Sequence, residues 1–219
     1  MHSEVLIVAR AGRLPRIECR GGLAARVTLA DTVHLLSAAA TPLGGDTISI
    51  RVVVEPGAVL RVRSAAATMV LPGAADATSH AALQLEVAGQ LDVDLQPTVV
   101  GGGAVHVSAV RIGIDEAGVL RLRERVQVGR SYERHGFWSG SVHADVKDQP
   151  LLRHRVELGA GAVADDVLSA PRALISELCY PTASPADHSA GSAGRRTDGS
   201  VALDLAGGGV LTTWQGERL

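Results

Sequence analysis

The chain has 219 residues, enough to bury roughly 70% of the surface its unfolded form exposes. A hydrophobic fraction of 46% and a formal net charge of -2 exclude wholesale disorder and a general attraction to nucleic acid or anionic membranes. Aromatic residues make up only 2%, which argues against sites that stack sugars or bases and leaves Val, Leu, Ile and Ala to build the core.

In chain order the pattern reads as strands. Thr47–Glu55 alternates, with Ile48, Ile50, Val52 and Val54 on one face and Ser49 and Arg51 on the other. Pro56-Gly57 is a turn pair, in which Pro presets its φ and Gly tolerates a positive one. Ala58–Ser64 then alternates again, so a hairpin is expected. Leu83, Leu85 and Val87 and then Leu91, Val93 and Leu95 repeat this grammar around Gly89-Gln90. Ala104–Ile114 and Val119–Val128 repeat it around Glu116-Ala117-Gly118. Trp138–Lys147 and Leu151–Leu158 form a further pair joined by Asp148-Gln149-Pro150. Pro171–Leu178 is expected to be a helix, since Pro can open one and Leu174, Ile175 and Leu178 fit its spacing. Pro181–Gly199, rich in Ser, Ala, Gly, Pro and Asp, is expected to be a mobile loop. Val201–Leu205 and Val210–Trp214 flank Gly207-Gly208-Gly209. The whole predicts a mainly β single domain over residues 1–219, with no clean repeat period.

Few motifs carry chemistry. Cys19 and Cys179 are no disulfide framework, and no CxxC exists for zinc. The N-terminal residues lack a signal-peptide pattern, and no apolar run approaches the roughly 20 residues of a membrane span, so a cytoplasmic protein is expected. There is neither a phosphate loop nor a GxSxG. The turn Leu43-Gly44-Gly45-Asp46 is the sharpest local motif. His143 and Asp145 fall on one face of a predicted strand, with His154 on the next and His135 nearby. Imidazole and carboxylate together suit nickel or zinc. A metallohydrolase using His143, Asp145 and His154, or a β-sheet protein-interaction module, are the readings that spacing alone leaves open.

The ordered set of segments resembles the urease accessory protein family UreD, also called UreH. The segments are Val33-His34-Leu35-Leu36-Ser37, Thr41-Pro42-Leu43-Gly44-Gly45-Asp46, Glu55-Pro56-Gly57-Ala58, Ser64-Ala65-Ala66-Ala67-Thr68, Leu95-Gln96-Pro97, Val128-Gly129-Arg130, Phe137-Trp138-Ser139-Gly140, Pro150-Leu151-Leu152 and Leu178-Cys179-Tyr180-Pro181. Gly44, Gly45, Gly129, Arg130, Cys179, Tyr180 and Pro181 are the motif positions. The chain departs from the family's Lys-x-Tyr, having Met69-Val70-Leu71, and from its Gly-Glu after Gly-Arg, having Arg134-His135 with Glu133 just before. It looks like a compact, divergent member.

The resemblance implies a non-catalytic maturation factor of stacked mixed sheets, β-helix-like or sandwich-like, with one or two short helices. It implies UreF-type and UreG-type accessory proteins and apo-urease as partners, with no nucleic acid and no membrane. It also implies transient passage of Ni2+ with no tightly bound cofactor. Asp46, the acid of the Gly-Gly-Asp turn, is the first position expected to meet the ion. Glu133, His135, His143 and Asp145 are further carboxylates and imidazoles that could do so. A metal in transit needs partners weak enough to release it.

Overall fold

The computed structural model describes residues 1–133, 135–162, 170–182 and 199–219. Every regular element among them is a strand. β1 (His2–Ala9) and β2 (Arg16–Arg20) pair antiparallel at one edge of a seven-stranded sheet. β3 (Leu23–Leu29) and β4 (Thr32–Ser37) pair antiparallel at one edge of a ten-stranded sheet.

From there the chain winds between the two sheets. β5 (Thr47–Val54) lies in the first and β6 (Val59–Ser64) in the second. After the short β7 (Thr68–Val70), β8 (Thr78–Val87) returns to the first sheet and β9 (Gln90–Asp94) to the second. After β10 (Thr98–Val100), β11 (Val105–Ile114) and β12 (Val119–Val128) complete a third coil. β5, β8 and β11 are parallel neighbours, and so are β6, β9 and β12.

The turns expected to make hairpins therefore do something else. Glu55–Ala58, Ala88-Gly89 and Asp115–Gly118 carry the chain from one sheet to the other, and they stack as corners. The Gln90 amide donates to the Ala58 carbonyl and the Val119 amide to the Gly89 carbonyl, both at 2.9 Å. A Cβ on Gly89 would stand 2.3 Å from the Ala58 oxygen, so the corner admits only glycine there. Turn chemistry and period-2 burial are the same for a hairpin and for a corner between facing sheets. The parallel pairing of distant strands decides between them, and it is not a local property. The coils have unequal length, with Val54, Val87 and Ile114 in register, which is why no repeat period shows.

The remaining strands extend both sheets. β13 (Phe137–Val146) and β14 (Gln149–Gly159) form a true hairpin. Its turn is Lys147-Asp148, both at positive φ (48° and 61°), and not Asp148-Gln149-Pro150. Pro150 belongs to β14, an edge strand, where its missing N–H costs no ladder bond. β15 (Ala173–Tyr180) replaces the helix expected over Pro171–Leu178. It pairs antiparallel with β12 and with β17 (Val210–Gly216). Leu174 and Leu178 satisfy both a helical and a strand spacing, and the open edges of β12 and β17 supply the backbone partners that settle it. β16 (Val201–Asp204) closes the second sheet. Most of the loop expected over Pro181–Gly199 lies outside the described residues.

The core sits between the sheets. Ile7, Val52, Leu85 and Ile114 from one wall meet Leu60, Val62, Leu91 and Leu120 from the other, all 2% exposed or less. Each such side chain contributes about 1.5–3 kcal/mol of burial. A second cluster around Trp138, Val100, Val128, Leu158 and Leu174 continues the core toward β13–β15. On the outer face of the second sheet, carboxylates and guanidiniums alternate across the strands. Arg63 and Arg121 bond Asp92 (2.5 and 3.2 Å), Arg121 bonds Glu177 (3.0 Å), and Arg125 bonds Asp94 (2.5 Å). This ladder keeps charge off the apolar face and explains the Arg/apolar alternation of β6 and β12. No helix among the described residues is long and apolar enough to cross a membrane.

Candidate functional site

The two sheets part at one end of the core around a cavity of about 370 Å³. Its walls are mostly aliphatic: Ile48, Ile50 and Leu83 from the first sheet, Leu35 and Leu95 from the second, with Trp138 at the inner end. Several hydroxyls and two titratable groups, His106 and Glu124, interrupt them. β11 points His106 and Ser108 inward ahead of Val110, Ile112 and Ile114, and β12 points Glu124 inward within the series Leu120, Leu122, Val126.

These groups are held and tuned. Ser108 Oγ donates to Glu124 Oε1 at 3.3 Å. Burial disfavours the Glu124 carboxylate and pushes its pKa up from 4.5 to about 7, against the smaller opposing effect of Ser108. His106 Nδ1 and Ser79 Oγ share a hydrogen bond of 2.8 Å, and Ser79 also reaches the Val105 carbonyl at 3.5 Å. With Ser79 donating to Val105, Nδ1–H donates to Ser79 and Nε2 keeps its lone pair. Burial, with the nearby His80, depresses the His106 pKa to about 4, so the imidazole is neutral at pH 7. The cavity thus presents one carboxyl near its own titration point and one neutral imidazole in mostly aliphatic walls carrying a few hydroxyls.

The mouth is built from a repeated pentapeptide. Ser37–Thr41 and Ser64–Thr68 both read Ser-Ala-Ala-Ala-Thr. They leave the adjacent ends of β4 and β6, where the Ala65 amide bonds the Leu35 carbonyl at 2.9 Å. Ser37, Thr41, Pro42, Ala65 and Ala66 line the opening.

Asp46 stands behind this rim and not in the cavity wall. Its buried carboxylate accepts from the Thr41 hydroxyl and the Leu43 amide, both at 2.9 Å, and from the Met1 ammonium. Burial raises its pKa, but these donors outweigh burial and hold it below the usual value. The carboxylate is spent on bracing Thr41-Pro42. Gly44 and Gly45 make the bracing turn. Gly45 has φ 86°, and a Cβ on Gly44 would lie 1.8 Å from the Asp76 carbonyl oxygen.

The other expected positions scatter. His143 and Asp145 lie on the outer face of the first sheet, where Asp145 bonds Arg153 at 2.5 Å. His154 pairs in register with Val142, so it faces inward, opposite to His143. The trio expected for a hydrolase is not assembled, because adjacent register positions of a strand face opposite ways. Glu133 sits in the turn after β12, bonded by the Gly102 amide (2.8 Å) and by Arg130, which holds its pKa down to about 2. His135 is exposed beside it. Gly129 has φ 79° and packs under Arg172. Cys179 is unpaired on the outer face of β15, its thiol pushed up to about 11 by burial and Glu177. Among the described residues no three His, Cys, Asp or Glu side chains gather as a metal site. Glu124 and His106 belong to no sequence motif, although a carboxylate in the apolar register of β12 is a legible signal.

Residues 20–202 match the family model described as UreD urease accessory protein. A Urease accessory protein UreD 1 of Saccharopolyspora erythraea is 35% identical over 198 residues, covering 89% of this chain and 75% of that protein. A Urease accessory protein UreD of Frankia alni is 33% identical over 240 residues, covering 97% of this chain and 80% of its own length. One from Frankia casuarinae is 34% identical, covering 82% and 65%. With a family match over most of its length and relatives at this level of identity, the chain belongs to the UreD urease accessory proteins, and its role lies in urease maturation and not in catalysis of its own.

Proposed function

We propose that this chain passes Ni2+ through the cavity between its sheets to apo-urease, while UreF-type and UreG-type accessory proteins deliver the ion to it. The observation that carries the reading is Glu124, a carboxyl placed with neutral His106 in an aliphatic cavity that opens at an uncharged rim. Oxygen and imidazole donors suit a divalent first-row ion, and two of them are too few to trap it. A cation approaching Glu124 displaces its proton, so occupancy is coupled to proton release and stays reversible near neutral pH. A cytoplasmic setting fits the two unpaired cysteines.

Co-expression of the urease genes with this chain at limiting nickel tests the proposal. Glu124→Ala is expected to lower nickel per urease, and urease activity, about 10-fold or more, the scale lost with a metal-site partner. His143→Ala, on the outer face, leaves both unchanged. Full activation by the Glu124→Ala variant, with its fold verified by circular dichroism, would sink the proposal.

A further inference from the structure

The turn that follows β12 is built more rigidly than a connection requires. Glu133 ties it at both ends, accepting from the Gly102 amide at 2.8 Å and from the Arg130 amide at 3.1 Å, and pairing with the Arg130 side chain. Arg172 fixes it from β15's approach, its Nη2 donating to the Val128 carbonyl at 2.8 Å and to that of Glu133. At the tip stands Tyr132, with φ 68° and 106% relative exposure. A left-handed backbone suits glycine and strains an aromatic residue. A bulky aromatic held there, wholly in solvent, contributes nothing to the fold. Strain retained without structural return is the mark of a functional position. The other aromatic side chains of the chain are all at least partly buried.

Beside Tyr132 opens a polar cleft of about 430 Å³, lined among others by Arg130, Arg172, Arg218 and Ser131. Arg130 is neutralised by Glu133. Arg172 and Arg218 have no carboxylate partner among the described residues. Arg172 serves backbone carbonyls, and Arg218 donates to the Ser131 hydroxyl at 3.3 Å. Glu217, on the same cleft, is the one carboxylate there that is not already paired. A guanidinium fixed by backbone carbonyls, Arg172, and a solvent-facing one, Arg218, next to a protruding tyrosine are the composition of an interface anchor, since Tyr and Arg dominate binding energy at protein contacts.

We infer that the Arg130–Glu133 turn docks an acidic segment of a partner protein, with Tyr132 as the apolar anchor and Arg172 and Arg218 receiving carboxylates. This site lies outside the lining of the inter-sheet cavity and stands independently of what passes through it.

Titrating the full chain with a labelled peptide of sequence Glu-Glu-Leu-Glu-Glu-Leu tests it. Saturable binding is expected, weakened about 10-fold or more by Arg218→Glu and likewise by Tyr132→Gly. Tyr132→Gly also raises the melting temperature, because glycine relieves the left-handed strain, so lost binding cannot be ascribed to lost fold. Absence of saturable binding to the unaltered chain would overturn the inference, and so would equal affinity in the Tyr132→Gly variant. Displacement of the peptide by millimolar inorganic phosphate, with equal phosphate affinity in both proteins, would also overturn it and assign the guanidiniums to a free oxyanion.

Discussion

Gly44→Ala is expected to cost about 4 kcal/mol, at the upper end for a single substitution. The added Cβ would lie 1.8 Å from the Asp76 carbonyl oxygen and 2.6 Å from the Gly73 amide nitrogen. Both obstacles are backbone, so no side-chain rotation relieves them. The Gly44 amide also bonds the Leu71 carbonyl at 3.0 Å. Displacing it pulls the turn away from Asp46 and from the Thr41-Pro42 rim that Asp46 braces. For a domain of this size the melting temperature falls by about 10 °C. Gly113→Ala is the control, since nothing lies within 4 Å of a Cβ there and that glycine has no left-handed backbone. It is expected to stay within about 0.5 kcal/mol of the original. Equal melting temperatures for the two variants would refute the packing argument.

Glu124→Gln is expected to stabilise the protein at pH 8 and to leave it unchanged near pH 4.5. The Glu124 pKa is about 7 in the fold against 4.5 ordinarily. Between those values the folded state holds a proton that the unfolded chain has released, so stability falls as pH rises through this window and stays low above it. Glutamine keeps the shape and never ionises. The gain at pH 8 is about 2–3 kcal/mol, from 1.36 kcal/mol per unit of pKa, with the lower figure allowing for water in the cavity. His106 acts in the opposite sense. Its pKa of about 4 against 6.5 means that stability is lost as pH falls through that range. That loss is common to both proteins and cancels in their difference. Denaturant titrations at the two pH values measure the gap. A gap of the same size at both, or a less stable glutamine variant at pH 8, would show that Glu124 is not desolvated.

The long strands β5, β6, β9 and β11 to β14 are readable from period-2 alternation to within a residue or two, and β8 in its second half, whereas the three-residue β7 and β10 are too short to show a period. The assembly of the strands is not readable in this way. Pro56-Gly57 and Ala117-Gly118 are good turns in either topology, and only the long-range parallel ladders make them corners. Leu174, Ile175 and Leu178 fit a helix until β12 and β17 claim the segment. The site divided in the same way. Asp46 belongs to the sharpest local motif, but the Thr41 hydroxyl and the Leu43 amide of its own turn, joined by the distant Met1 ammonium, turn it from a free carboxylate into a brace. Glu124 stands between Arg123 and Arg125, where a third charged residue looks like more of the outer ladder. Register places it inside, and burial then gives it a carboxyl that titrates near neutrality.

The proposed route requires a divalent nickel ion to reach the space between the sheets. Paramagnetic broadening in amide NMR spectra of the labelled chain, on stepwise addition of Ni2+, tests it most directly. Signals of residues near His106 and Glu124 are expected to fade first, while those flanking His143 and Asp145 on the outer face persist. Fading confined to surface histidines, with the cavity residues untouched, would contradict it.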